Sequence, residues 1–245
     1  MNTPSVIQSL WIGKELSVME RLSISSFLKN GHPFHLYVYD DVSGIPEGVT
    51  ILDASKILSP DRIFKYKNHN SYAGFSNLFR YKLLLEKGAY WVDTDVVCLK
   101  EFLHNEEYVF TAERMPSRFF RNKLKFGSCI IKVPKDSAIM EYCYKESAKK
   151  DSNRLFWGQT GPHLLTRAIK KYKMKSFVAD PEVFCPINWW DLNQLISESP
   201  GINALKGSQA VHLWNEMWRR NNIDKSAQFD KNSIYEKLKK AYLYK

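Results

Sequence analysis

Two carboxylates, Asp93 and Asp95, interrupt an apolar, β-rich run that extends from Ala89 to Val97. Ionised groups are not accommodated inside a buried strand unless something there compensates for lost water. The apolar and β-branched residues on either side therefore predict a central strand whose end delivers both side chains to the rim of a sheet. Ligands of α/β folds bind at that rim. Two hard oxygen donors one residue apart, with coordination positions to spare, suit Mg²⁺ or Mn²⁺ bridging a diphosphate. Taken alone, the D-x-D pattern fits a surface turn as well, so the flanking residues decide.

Upstream, residues 75–87 read as a helix that stops at Gly88, a residue suited to the left-handed position after a helix C-terminus. Asn77 and Arg80 are three apart and share a face, while Phe75, Leu78, Phe79 and Leu83 supply an apolar stripe. That polar face is a candidate for donor recognition; periodicity by itself also allows a solvated surface.

The series Ser76-Asn77-Leu78-Phe79-Arg80, then Gly88-Ala89-Tyr90-Trp91-Val92-Asp93-Thr94-Asp95, resembles the sugar-binding D-x-D region of a glycosyltransferase superfamily. Its members include α-1,4-galactosyl and N-acetylglucosaminyl transferases, the yeast initiating α-1,6-mannosyltransferase and the glucosylating domains of large clostridial toxins. The usual pattern there is S-D-x-x-R followed by G-G-x-Y-x-D-x-D. This chain departs twice, with Asn77 for the aspartate and Ala89 for the second glycine, and keeps the metal-binding pair. The resemblance implies a single-domain α/β chain with a GT-A-like, Rossmann-type nucleotide-sugar transferase fold.

Three further segments extend the resemblance. Trp11-Ile12-Gly13 ends a predicted first strand and is similar to the family's first strand, where the tryptophan stacks on the nucleotide base. Trp157-Gly158-Gln159-Thr160-Gly161-Pro162-His163 resembles the family's G-P-x-x-L-T element, with Gln159, Thr160 and His163 as polar candidates at a helix N-terminus. His212-Leu213-Trp214-Asn215 is similar to its late H-x-W-N segment, which makes His212 and Asn215 candidate metal ligands beside Asp93 and Asp95. From its own segment alone, a histidine in apolar company, His212 reads more readily as a satisfied core residue than as a ligand. Two carboxylates and an imidazole suit Mn²⁺ somewhat better than Mg²⁺.

The implied reaction is metal-dependent transfer of a sugar, with retention, from a UDP-linked nucleotide-sugar donor to a glycan or glycolipid acceptor, as in bacterial-type surface polysaccharide synthesis. In it Arg80 and Gln159 act catalytically, and Trp11, Ile12, Gly13, Asn77, Arg80 and Thr160 hold the donor. Two rivals remain: a metal-dependent phosphohydrolase, which leaves Trp11 unexplained, and a basic nucleic-acid-binding module. The net charge of +10 admits the latter, but no recognised nucleic-acid motif accompanies it, so nucleic acid is not expected as a partner.

Elsewhere, residues 17–30 and 136–149 read as helices, and 6–12, 35–39, 49–52, 108–112 and 129–133 as strands. Asp40 and Asp41, after the second strand, are candidates for the ribose or for a plain turn; residues 55–70 fit no pattern. Arg114, Arg118, Arg121, Lys123 and Lys125, interleaved with Phe119 and Phe120, form a basic segment facing acceptor, phosphate or solvent. The cysteines Cys98, Cys129, Cys143 and Cys185 form no C-x-x-C pair and read as reduced core residues. Without a bilayer-length apolar stretch or a signal-like start, the expectation is a cytoplasmic protein. A catalytic domain over 1–230 and a basic amphipathic helix over 231–245 complete the plan, with Ser233 and Glu236 at capping-box spacing. That helix fits peripheral contact with an anionic membrane, or docking on the domain by the same apolar stripe.

Overall fold

The computed structural model describes residues 5–67, 69–102, 106–116 and 124–244. Its strands are β1 (Ile7–Trp11), β2 (Phe34–Val38), β3 (Val49–Asp53), β4 (Ala89–Val92), β5 (Val96–Cys98), β6 (Val109–Arg114), β7 (Leu124–Val133) and β8 (Ala210–His212). Six of them form the central sheet in the order β3-β2-β1-β4-β7-β6, while β5 and β8 pair as a separate antiparallel ribbon. β1 to β4 run parallel, and β7 and β6 add an antiparallel flank.

The helices are α1 (Val18–Lys29), α2 (Ala73–Lys87), α3 (Ala138–Ala148), α4 (Pro162–Lys171), the single turns α5 (Pro181–Phe184) and α6 (Asn193–Ile196), α7 (Asn215–Arg220) and α8 (Ile234–Tyr242). Both faces of the sheet are covered, which is why its strands read as apolar throughout. Successive residues of β4 show it: Tyr90 and Val92 join a cluster with Ile24 and Phe27 of α1, whereas Trp91 joins Phe79 of α2, Ile139 of α3 and Leu165 of α4. α1 starts at a complete capping box, Ser17 with Glu20.

Strand order creates the crevice that the chemistry needs. The chain lays β2 and β3 on one side of β1, then returns through α2 to lay β4 on the other, so the direction of winding reverses between β1 and β4. Trp11 ends β1, and Asp93 to Asp95 follow β4, at the same carboxyl edge.

Three expectations are refined. The apolar run around the aspartates is two strands rather than one, because Asp95 turns away from the main sheet to pair with the β8–α7 connection: its carbonyl accepts from Leu213 N–H at 2.8 Å. The basic segment is partly strand, with Arg114 ending β6 opposite Leu124 and Lys125 in β7 opposite Glu113; Arg118, Phe119, Phe120, Arg121 and Lys123 lie outside the described residues. Polar residues alternating along the first half of β7 hid that strand from an apolar-run reading. Finally, α8 is docked. Ile234, Tyr235 and Leu238 are buried with Trp218 and with Met19 and Leu22 of α1, and Lys239 is buried as well, donating to Ala227 O at 3.2 Å. The stripe that a membrane contact would use is occupied by the core. Ser233 caps this helix through Glu236 N–H, while the Glu236 carboxylate turns to Phe229 N–H at 2.9 Å. Among the described residues no helix is long and apolar enough to cross a membrane.

The junction of α2 and β4 is strained in a way that generates a test. Gly88 has φ 65° and ψ −152°, so its positive φ is as expected but its ψ is extended, a region open essentially to glycine alone. A Cβ there would sit 2.4 Å from Lys135 N. Ala89 follows with φ 66°, an uncommon value for a residue with a Cβ. Gly88→Ala is expected to cost roughly 2–4 kcal/mol, whereas Ala89→Gly should be neutral or stabilising by up to ~1 kcal/mol. Urea denaturation of both variants checks this, and a G88A protein as stable as the parent would refute the strain.

Candidate active site

A cavity of about 590 Å³ opens at the switch point, lined by Trp11 at the end of β1 and Ile12 just after it, Asn77 and Arg80 from α2, and Asp93, Thr94 and Asp95 after β4. Its volume lies in the range of small-molecule sites. The other walls come from Glu113 and Lys125 of the β6–β7 hairpin, from Tyr66, Trp157 and Trp189, and from Trp214, Asn215, Arg219 and Arg220.

Asp93 is held from its own strand and from α2. Trp91 Nε1–H donates to Asp93 Oδ1 at 2.8 Å, and the Arg80 guanidinium donates to the same oxygen. Arg80 also lies over the Trp91 ring, 4.7 Å from its centroid, and gives a second N–H to Asn77 Oδ1 at 2.8 Å. Two χ-rich side chains are thereby fixed by one planar cation. Burial pushes the Asp93 carboxyl up to about 6, against the pull of Arg80, and the neighbouring Asp95 charge adds to the rise.

Asp95 is held from the opposite side. Its Oδ2 accepts from Asn215 N–H at 2.8 Å, at the start of α7, and lies 3.2 Å from His212 Nε2. Burial alone would raise this carboxyl, but His212 and the hydrogen bonds from His212 and Asn215 outweigh it and hold Asp95 below the usual value. For His212 burial disfavours the imidazolium, yet Asp95 and Cys129 overcome it and raise the imidazole well above its ordinary value. Trp214 packs against His212 with ring centroids 3.9 Å apart and planes tilted by 39°, and its backbone is left-handed, φ 59° and ψ 50°. Ligand atoms of Asp93, Asp95 and His212 all lie within 4.8 Å of one another, close enough to serve one cation. Their carboxylate and imidazole chemistry fits a divalent ion.

The other expected residues fall in several places. Asn77 and Arg80 are 6% and 3% exposed, which excludes the solvated-face reading. Gly13, with φ 155°, does not line the cavity but seats Trp11: a Cβ on Gly13 would come 3.2 Å from Trp11 Nε1. Thr160 stands behind Asn77, its Oγ1 taking Asn77 Nδ2–H at 3.5 Å, and Gly161 leaves room for the same amide. Gln159 is also outside the lining, its Oε1 accepting from Phe156 N–H at 3.3 Å. Asn215 reaches Asp95 through its main chain, while its side-chain oxygen accepts from Lys225 Nζ at 3.2 Å. Asp40 and Asp41 do not line the cavity.

Sequence reasoning missed Glu113, Tyr66 and the Arg219–Arg220 pair. Glu113 lies near the end of β6, beside Arg114, and burial raises it to about 7 despite Lys125 opposite. A carboxylate directly after the apolar run 108–112 was the available signal. Tyr66 lies in the stretch without pattern, packs on Trp157 at 5.2 Å, and Arg220 lies 4.8 Å over the same indole.

Residues 16–115 match the family described as a glycosyltransferase sugar-binding region containing the DXD motif, and residues 133–242 match the alpha 1,4-glycosyltransferase conserved region. The chain is 28% identical over 155 residues to lactosylceramide 4-alpha-galactosyltransferase of Pongo pygmaeus, covering 58% of this chain and 66% of that one. It is 26% identical over 189 residues to alpha-1,4-N-acetylglucosaminyltransferase of Homo sapiens, covering 68% of this chain and 52% of the relative. The chain thus spans less than two thirds of the length of these relatives. Among solved structures, the ligand-free glycosyltransferase domain from the YGT toxin superposes with a TM-score of 0.53 at 8% identity, covering 81% of this chain and 84% of that domain. That likeness is one of fold.

Replacing Arg80 by Met leaves Asp93 and Asn77 without their shared donor. Loss of one partner of a fully buried pair costs ~3–5 kcal/mol. Since the Asp93 side chain keeps 27% exposure, the expected loss is smaller, about 2 kcal/mol, with Arg80→Lys intermediate. Chemical denaturation in the presence of chelator measures it, and an R80M protein matching the parent would show that the pair does not hold the turn.

Proposed function

This chain belongs to the D-x-D glycosyltransferase superfamily, and from that premise we propose that it moves a sugar from a UDP-linked nucleotide-sugar to a hydroxyl of a glycan or glycolipid, with divalent-cation dependence and retention at the anomeric carbon. The observation that supports this most is the meeting of Asp93, Asp95 and His212 with Trp11 and Arg80 in one cavity at the switch point of the sheet. A bound Mn²⁺ or Mg²⁺ would be held by Asp93 and Asp95, with His212 within reach, and would neutralise the departing diphosphate.

The chain's own groups have separable tasks. Trp11 offers its indole face to the base, and Ile12 extends that wall. Arg80 keeps a fixed positive charge beside the leaving group without giving up Asp93. Asn77, propped by Thr160, presents an amide to the sugar where the family pattern has a carboxylate. Trp157, backed by Tyr66 and Arg220, supplies an aromatic wall for an acceptor ring. Gln159 and Thr160 support this arrangement from outside the cavity rather than touching the sugar. A relative is named for action on lactosylceramide, a glycolipid, and the acceptor class proposed here follows that name. The relatives lend no support to a role in surface polysaccharide, and that expectation is not carried further.

Incubation with Mn²⁺ and a panel of nucleotide-sugars should release nucleoside diphosphate, and Asp95→Asn should lower that release about a hundredfold or more while the fold survives. Inorganic phosphate instead would favour the phosphohydrolase, and unchanged turnover in D95N would remove the pair from the reaction. Trp11→Ala should weaken UDP binding about tenfold, ~1.4 kcal/mol, by calorimetry. Equal affinities would release Trp11 from the base site.

A further inference from the structure

Next to the aspartate pair, three soft donors converge from distant parts of the chain: Cys129 on β7, Cys185 just after α5, and His212 at the end of β8. They are 4%, 2% and 9% exposed. The two sulfurs lie 3.8 Å apart, and with a ring nitrogen of His212 all three ligand atoms fall within 4.8 Å of one another. Glu113, on the adjacent β6, is near enough for its charge to act on Cys129, Cys185 and His212.

Three features point to a ligand here. First, the two thiols share a hydrogen bond at 3.8 Å and so already stand at the spacing that two bonds of ~2.3 Å meeting at the tetrahedral angle would give, whereas a disulfide brings sulfurs to ~2.05 Å. Second, His212 Nδ1 is buried without a hydrogen-bond partner of ordinary geometry, with Cys129 as the neighbour that acts on the ring. A buried polar atom in that state calls for a missing water or ion. Third, the other ring nitrogen, Nε2, lies 3.2 Å from Asp95 Oδ2. An imidazole whose far nitrogen is oriented by a carboxylate is the usual arrangement of a metal-ligating histidine.

We infer that Cys129, Cys185 and His212, through Nδ1, form a binding site for one thiophilic divalent cation of the Zn²⁺ type, separate from the cation held by Asp93 and Asp95. Glu113 or a water takes the fourth position. Binding requires both sulfurs and Nδ1 to be deprotonated, so whatever protons they carry leave to solvent, and no oxidation state changes. Nε2 then keeps its proton and donates it to Asp95. The site would tie the segment after α5 to β7 and β8, pieces otherwise joined by packing and by hydrogen bonds such as that from Trp214 Nε1–H to Ile187 O. It does not rest on the transfer reading, since its ligands and its readout are independent of any sugar donor.

Co²⁺ is the probe, added to the full chain after stripping with chelator under reductant. One equivalent should bind with the sulfur-to-cobalt charge-transfer absorption and visible bands of a tetrahedral thiolate site, and Zn²⁺ should displace it. Cys185→Ser should lose those bands and bind Co²⁺ at least tenfold more weakly, whereas Asp93→Asn should keep them. In the parent alone, Zn²⁺ should slow alkylation of Cys129 and Cys185 and leave Cys98 and Cys143 unchanged, a measurement that holds even where C185S does not fold. Absence of thiolate bands in the reduced parent, their survival in C185S, their loss in folded D93N, or no protection by Zn²⁺ would each overturn the site. Nucleoside diphosphate release, followed in parallel, tests the transfer reading by a signal separate from the cobalt bands, so failure of one is distinguishable from failure of the other.

Discussion

Everything at this site follows from placing two carboxylates at the end of a buried strand and then solvating them with protein. Asp93 and Asp95 keep only 27% and 15% side-chain exposure, so water cannot carry the cost of their charge. Arg80 carries part of it, and to do so it must itself be buried, stacked on Trp91 and hydrogen-bonded to Asn77. Asn77 is in turn braced by Thr160 and by the close backbone of Gly161. The polar groups of α2 are therefore not a face that happens to meet a ligand. They are the inner lining of a desolvated site, and α2 is buried on nearly all sides as a result.

Asp95 imposes a second set of requirements on a distant part of the chain. Its carbonyl takes Leu213 N–H and its carboxylate takes Asn215 N–H, which fixes the turn between β8 and α7. Trp214, between those two donors, is forced into a left-handed backbone that costs an L-residue roughly 1–2 kcal/mol. Its indole offsets that cost by packing against His212 and donating to Ile187 O at 2.9 Å. Strain of this kind survives only where surrounding contacts fix it, and it sits here within one residue of both Asp95 partners. Neither the residues before β6 nor those after β7 make the site alone.

These dependencies explain what could be read in advance. The D-x-D pair, the helix before it and the Trp at the end of β1 were legible because each is a local pattern: an apolar run ended by charge, a 3.6-residue stripe ended by glycine, a strand ended by glycine. Asn77 and Arg80 were assigned correctly as neighbours but not as buried, since a helix wheel cannot tell a solvated polar face from one that solvates an internal charge. The role of Gln159 was misplaced because it depends on which way a turn after Trp157 rotates, a tertiary outcome with no local signature. Asn215 was found by its segment, yet its main chain rather than its amide meets Asp95. Glu113 was passed over because it falls between the predicted strand 108–112 and the basic segment that begins at Arg114, although a carboxylate just after an apolar run carries the same message as Asp93.

Ligand chemistry allows the two cation sites to coexist within a few ångströms. The aspartate oxygens are hard donors and suit Mg²⁺ or Mn²⁺, which exchange readily and tolerate a diphosphate as a further ligand. The two sulfurs are soft donors and favour the ions late in the first transition series, for which carboxylates compete poorly. His212 is the residue that both environments share, and its two nitrogens face different demands. A cation on Nδ1 fixes the proton on Nε2, and a proton on Nε2 makes His212 a donor to Asp95 rather than a ligand beside it. The coordination number left to the catalytic cation is then set by the sulfur site, through the tautomer of one imidazole.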